Sequence, residues 1–167
     1  MMAMLMWIRL GAGSGAAAVL LGAFGAHGLK THLAAAADGA TRLGWWQTGA
    51  HYHLVHSVAV LAVSLWLAAL LRPMSPTSNR LGATGDDQPR RRGTLDLGVG
   101  RLRKTWAYVA LAAWCLGIVI FSGTLYVMAL TGWRWLGAIT PVGGLLLTMG
   151  WLVLTTGVRV QRVRGSD

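Results

Sequence analysis

The sequence predicts an all-α membrane protein, a bundle of four transmembrane helices, on three observations. Four stretches, Leu10–Gly28, about Thr48–Leu71, Trp106–Leu130 and about Trp135–Val158, carry no acidic, Lys or Arg side chain. At 1.5 Å per residue each can cross a hydrocarbon core of about 30 Å. The chain is 54% hydrophobic and 12% charged, with a mean hydropathy of +0.53, whereas soluble domains carry roughly 25% charged residues. The net charge of +10 is also unevenly placed along the alternation of spans. An ordinary soluble domain is excluded, and the 167 residues form one integral membrane domain.

The first stretch begins after Arg9. It outruns the roughly 7–15 residues of a secretory signal core, so it is retained as a span despite the small residues around Ala23 and Ala26. Gly11 and Gly15, then Ala18, Gly22 and Ala26, recur every four residues and predict a close-packing ridge. The run Gly11–Ala16 also fits the G-x-G-x-x-A dinucleotide fingerprint. That motif needs a preceding strand and an acid about 20 residues on, and neither is present, so it is rejected. Lys30–Gln47 is too polar to span; Leu33, Leu43, Trp45 and Trp46 predict a short segment lying flat on the outer interface.

After the second span, residues 72–105 carry Pro73, Pro76, Pro89 and Asp86-Asp87 without periodicity, which predicts a disordered basic loop. Its Arg90-Arg91-Arg92 and Arg101-x-Arg103-Lys104 clusters are expected to meet anionic lipid headgroups. No aromatic residues are interleaved to stack bases, which argues against nucleic acid. The third span holds the lone Cys115, so no disulfide forms within the chain. In the fourth, Thr140 is expected as N-cap with Pro141 at the first helical position, and Gly143, Gly150 and Gly157 form a seven-residue seam. Trp7, Trp45, Trp46, Trp106, Trp133 and Trp135 lie near span ends and are expected to anchor in the headgroup layer.

Alternation puts 12 of the 15 Lys and Arg on the side that receives the N-terminus, the 72–105 segment and the C-terminus, leaving Lys30, Arg42 and Arg134 on the other. The positive-inside bias therefore places both termini in the cytoplasm. Thirteen of the basic residues are Arg, and with abundant Ala and Gly this suggests a GC-rich bacterial source. This orientation sends His27, Tyr52, His56, Ser122, Tyr126 and Thr140 to the outer half of the membrane as a candidate polar cluster.

All five acids lie outside the spans, which argues against a carboxylate-based ion relay. His27, His53 and His56 are weak candidates for a zinc or copper site, and one His from each of two helices is the pattern that holds a haem. No Cys or carboxylate stands nearby to complete a ligand set, so no cofactor is predicted. The simpler reading has His27, Tyr52 and His56 hydrogen-bonding between helices. Ser122 facing His56 supplies no third group and no oxyanion hole, so no catalytic residue is assigned.

The blocks Gly22-Ala-Phe-Gly-Ala-His27-Gly28, Trp46-Gln-Thr-Gly49, Tyr52-x-x-x-His56, Phe121-Ser-Gly-Thr-Leu-Tyr126, Ala129-Leu-Thr-Gly132 and Thr140-Pro-Val-Gly-Gly144 with Trp151 resemble the small YgdD-type inner-membrane proteins, a domain-of-unknown-function family. The resemblance touches all four spans. It implies a bacterial inner-membrane protein, with relatives in animal mitochondria and no established activity. Thr124 stands where the family has a second serine, and the 72–105 loop is longer than in compact members. His27 and His56 belong to the family blocks, whereas His51 and His53 do not, which weakens a three-histidine site.

The expected function is that of a non-enzymatic multi-pass inner-membrane protein, a structural or accessory partner of a membrane complex that contacts lipid and other membrane proteins. The alternative is a metal-, haem- or quinone-binding module using His27 and His56.

Overall fold

The computed structural model describes residues 2–70 and 104–157. Helix α1 spans Met2–Leu33, α2 Gly39–Leu70, α3 Lys104–Thr131 and α4 Thr140–Gly157. Single π-turns interrupt α1 at Gly25–Leu29 and α3 at Ile118–Ser122. A 3₁₀ turn, Arg134–Ala138, leads into α4. The four helices are long and apolar enough to cross a membrane. Side chains such as Leu20, 71% exposed, and Val119, 70% exposed, cover the outside, as a lipid-facing surface requires. The basic 72–105 loop lies outside the described residues, except that Lys104 and Thr105 open α3.

Each helix packs on the next in sequence, α1 on α2, α2 on α3 and α3 on α4, whereas α1 and α4 do not form a packed pair. Three apolar clusters mark successive levels along α2. Leu29, Leu33, Trp46 and Ala129 meet near the α1–α2 turn. Ala59, Val60, Leu111, Trp114, Ile118 and Leu147 form the middle level, and Met4, Leu67 and Ala107 the level nearest the N-terminus.

The small-residue ridge of α1 repeats every seven residues, not every four: Met4, Gly11, Ala18 and Gly25 are its buried positions. A four-residue step turns about 40° around the helix, so its ridge leaves the partner, while a seven-residue step drifts only about 20°. Gly11 lies where a Cβ would stand 2.8 Å from the Leu61 backbone nitrogen, and Gly15 meets only Ser57 Cβ at 3.7 Å. Gly22 faces open space and is not a packing position. On α4 the expected seam is present. Gly143, Gly150 and Gly157 are buried; Gly143 presses on the Phe121 backbone and Gly150 on the Trp114 indole.

No segment lies flat between the first two helices. Lys30–Leu33 prolongs α1, and α2 begins at Gly39. The apolar side chains that suggested an interfacial segment pack inward instead: Leu33 and Trp46 are buried, with Leu43 and Trp45 against them. Trp46, 3% exposed, is therefore a core side chain and not a surface anchor, while Trp7 is half-buried against the middle cluster. Trp106, Trp133 and Trp135 remain exposed near helix ends.

The turns at this end are tied together by charge. Arg42 donates to the carbonyls of Ala129, at 2.7 Å, and Leu130, capping the last turn of α3. A cation there meets the negative end of the helix dipole. Asp38 lies 3.9 Å from Arg42 and 3.7 Å from Arg134, linking both turns. Gly132 ends α3 at φ +76°, a left-handed conformation glycine adopts without a Cβ clash. Thr140 opens α4, yet its hydroxyl donates back to Leu136 O at 3.2 Å, so it is not the side-chain cap. Pro141 keeps its place in the first turn, where its missing N–H costs nothing.

Candidate functional site

Between the loop-end and middle clusters, α2 carries two histidines three residues apart, each with its own neighbours. A polar group buried in a membrane span needs a partner, because no water is present to supply one.

His53 faces α1 and α3. Its Nε2 lies 2.9 Å from Ser14 Oγ, and its Nδ1 lies 3.2 Å from the Tyr126 hydroxyl. Ser14 Oγ is 2.7 Å from Ser57 Oγ, which in turn donates to the His53 carbonyl at 2.7 Å. Four contacts share four protons, and one arrangement uses every proton once. Tyr126 donates to Nδ1, Nε2–H to Ser14, Ser14 to Ser57, and Ser57 to the carbonyl. In the opposite tautomer the Tyr126 proton has no acceptor in the ring and one contact has no proton. The circuit closes on the residue where it began, so it fastens three helices and leads to neither membrane face. Ser14 and His53 stand at nucleophile–base distance, but the proton on Nε2 points at Ser14. Acting as a base at Nε2 needs the opposite tautomer, in which Nδ1–H donates to the Tyr126 oxygen and the phenol proton loses its acceptor.

His56, 4% exposed, faces α3 and α4. Its Nδ1–H donates to Tyr52 O at 2.8 Å, and its Nε2 accepts from Trp151 Nε1–H at 3.2 Å. Tyr52 stacks on it at 6.0 Å, and the Trp114 and Trp151 rings approach at 6.4 and 6.1 Å. Both ring nitrogens are engaged, so a metal at Nε2 would have to displace the indole N–H.

The six polar positions expected to share one site are thus distributed over several. Tyr52 and His56 are together, and Tyr126 joins His53. Thr140 pairs with Thr124 at 2.9 Å. His27 is exposed on α1, where its carbonyl accepts from Thr31. His27, His53 and His56 do not gather: among the described residues no three His, Cys, Asp or Glu side chains stand close enough to hold a metal. Ser122 is 1% exposed, and its Oγ is the one buried side-chain polar atom among the described residues without a hydrogen-bond partner. Ser57 and Ser64 each donate to the carbonyl four residues back. At Ser122 the π-turn directs the Gly123 N–H to that carbonyl, Ile118 O.

Sequence reasoning missed Ser14, Ser57 and the part played by His53. The signal was present, since Ser14 is the only polar side chain between Arg9 and His27. A lone hydroxyl in an apolar span faces either its own backbone or another helix. His53 and Ser57, four apart, share a face of α2.

The family model described as a protein of unknown function, DUF423, matches residues 21–85 and 93–144. The chain is 35% identical to a UPF0382 membrane protein of Staphylococcus saprophyticus, over 92% of this chain and 97% of that one. It is 33% identical to a UPF0382 membrane protein of Haemophilus influenzae, over 90% and 91%. With the Escherichia coli K12 UPF0382 inner membrane protein YgdD it shares 32% identity, over 89% of this chain and 86% of that one. No solved structure matches the chain.

Proposed function

The chain belongs to the DUF423 family, whose relatives are named UPF0382 membrane proteins, and from that premise we propose that it is a non-enzymatic structural or accessory component of a larger complex in the bacterial inner membrane. The observation that carries this reading is the pairing of its interior polar groups with one another. His53 spends its hydrogen bonds on Ser14 and Tyr126, and His56 on Tyr52 and Trp151. Such bonds fix the rotation of neighbouring helices and leave the lipid-facing surface to meet other proteins. Both termini lie in the cytoplasm, on the side that receives 12 of the 15 basic residues.

The test is purification of the full chain in detergent, followed by a visible spectrum, elemental analysis and identification of co-purifying proteins. The expected result is one defined partner, no Soret band and no stoichiometric metal. A Soret band, or a stoichiometric metal lost on His56→Ala, overturns the proposal in favour of a ligand-binding module. Orientation is tested by a reporter fused after Asp167; activity confined to a periplasm-only reporter overturns it.

A further inference from the structure

We propose that the loop end of α1 binds the phosphate-bearing headgroup of an anionic phospholipid, held by Lys30 with His27 and His32. Three cationic side chains occupy this end of the described bundle, and two of them are taken. Arg42 is bound to the α3 carbonyls and to Asp38, and Arg134 to the second Asp38 oxygen. Lys30 has no acidic partner among the described residues, and Asp38, the sole carboxylate among them, is already shared. An open groove of about 900 Å³ lies beside it, lined by Ala26, Gly28 and Ala34 together with His27, Lys30 and His32. The His27, Lys30 and His32 side chains are all exposed.

Depth selects the occupant. Twenty residues without an acidic, Lys or Arg side chain separate Arg9 from Lys30, which is about 30 Å of helix, the thickness of the hydrocarbon core. With Arg9 at one boundary, Lys30 stands at the other, where lipid phosphates lie. Lys30 supplies the charge. Each imidazole keeps an N–H donor even when neutral.

The experiment incorporates the full chain into nanodiscs containing a trace of photoactivatable phosphatidylglycerol or, separately, photoactivatable phosphatidylcholine, and maps the labelled peptides by mass spectrometry. The expected result is preferential labelling of residues 24–34 by the glycerol lipid. Lys30→Gln should reduce it about fivefold, with a further fall in the triple variant that adds His27→Gln and His32→Gln. Labelling near Lys104 should stay unchanged, and circular dichroism checks that the variants keep their helices. Equal labelling by the two lipids, or anionic labelling unaffected by the triple variant, overturns the site. Loss of wild-type labelling on adding inorganic phosphate also overturns it, since the groove would then serve a soluble anion.

Discussion

The two hairpins, α1–α2 and α3–α4, are latched by the same device. In each, a tryptophan of the central helix lies over a glycine of the outer one, Trp46 on Gly25 and Trp114 on Gly150. Each indole donates to a carbonyl of that outer helix, Trp46 to Leu21 at 2.7 Å and Trp114 to Leu147 at 3.1 Å. Each hairpin also presses glycine on partner backbone, Gly11 on Leu61 in the first, and Gly143 on Phe121 and Gly117 on Leu147 in the second. The difference lies in what fills the rest of the seam. The first hairpin adds the Ser14–Ser57–His53 circuit, which reaches across to Tyr126. The second adds a single hydroxyl pair, Thr124 with Thr140. Close backbone approach is thus common to both, and polar bonding distinguishes the seam that also ties the hairpins together.

That comparison breaks most severely at the backbone contacts. Gly143→Ala puts a methyl against Phe121 Cα, 2.8 Å away, where no side chain can yield. A loss of about 3 kcal/mol is expected, read as a lower midpoint of unfolding in mixed detergent–SDS micelles. Next come the latches. Trp46→Phe and Trp114→Phe each remove one indole donor while keeping a ring, and each should cost about 1–2 kcal/mol. Losses that differ severalfold would refute a shared device. Ser14→Ala opens the circuit that the second hairpin lacks, for about 0.6 kcal/mol, the average of interhelical hydrogen bonds in membranes. Its sharper readout is the His53 imidazole resonance, which should show relaxation of the Nε2–H tautomer. Smallest of all, Gly22→Ala meets open space and should fall within about 0.5 kcal/mol of wild type; a large loss there would restore the four-residue ridge.

The seam of α4 was legible from the seven-residue spacing of Gly143, Gly150 and Gly157, with Gly144 the only other glycine of the helix. On α1 the abundance of Gly and Ala hid the buried line among several equally regular ones. Burial of Met4 and Gly25 resolves it. The candidate site was legible in depth but not in direction. Tyr52, His56, Tyr126 and Thr140 do fall on the loop-end side of the bundle, yet they divide among separate partners. His53, expected only as a candidate metal ligand beside His27 and His56, is instead the hub of a hydrogen-bond circuit through Ser14, a residue 39 positions away.

Although α1 and α2 begin eight and nine residues before their predicted starts, the sequence by itself determined the number of spans, the ends of α3 to within two residues, and the uneven placement of charge. These follow from transfer free energies that add residue by residue and do not depend on direction. Only the tertiary structure decided which serine meets which histidine, which glycine receives an indole, and that Arg42 and Arg134 share Asp38 while Lys30, the third cation at that end, keeps no acidic partner among the described residues. Hydrogen bonds and close contacts need both distance and angle, and these are set by the rotation and depth of two helices together, which neither helix encodes in its own pattern.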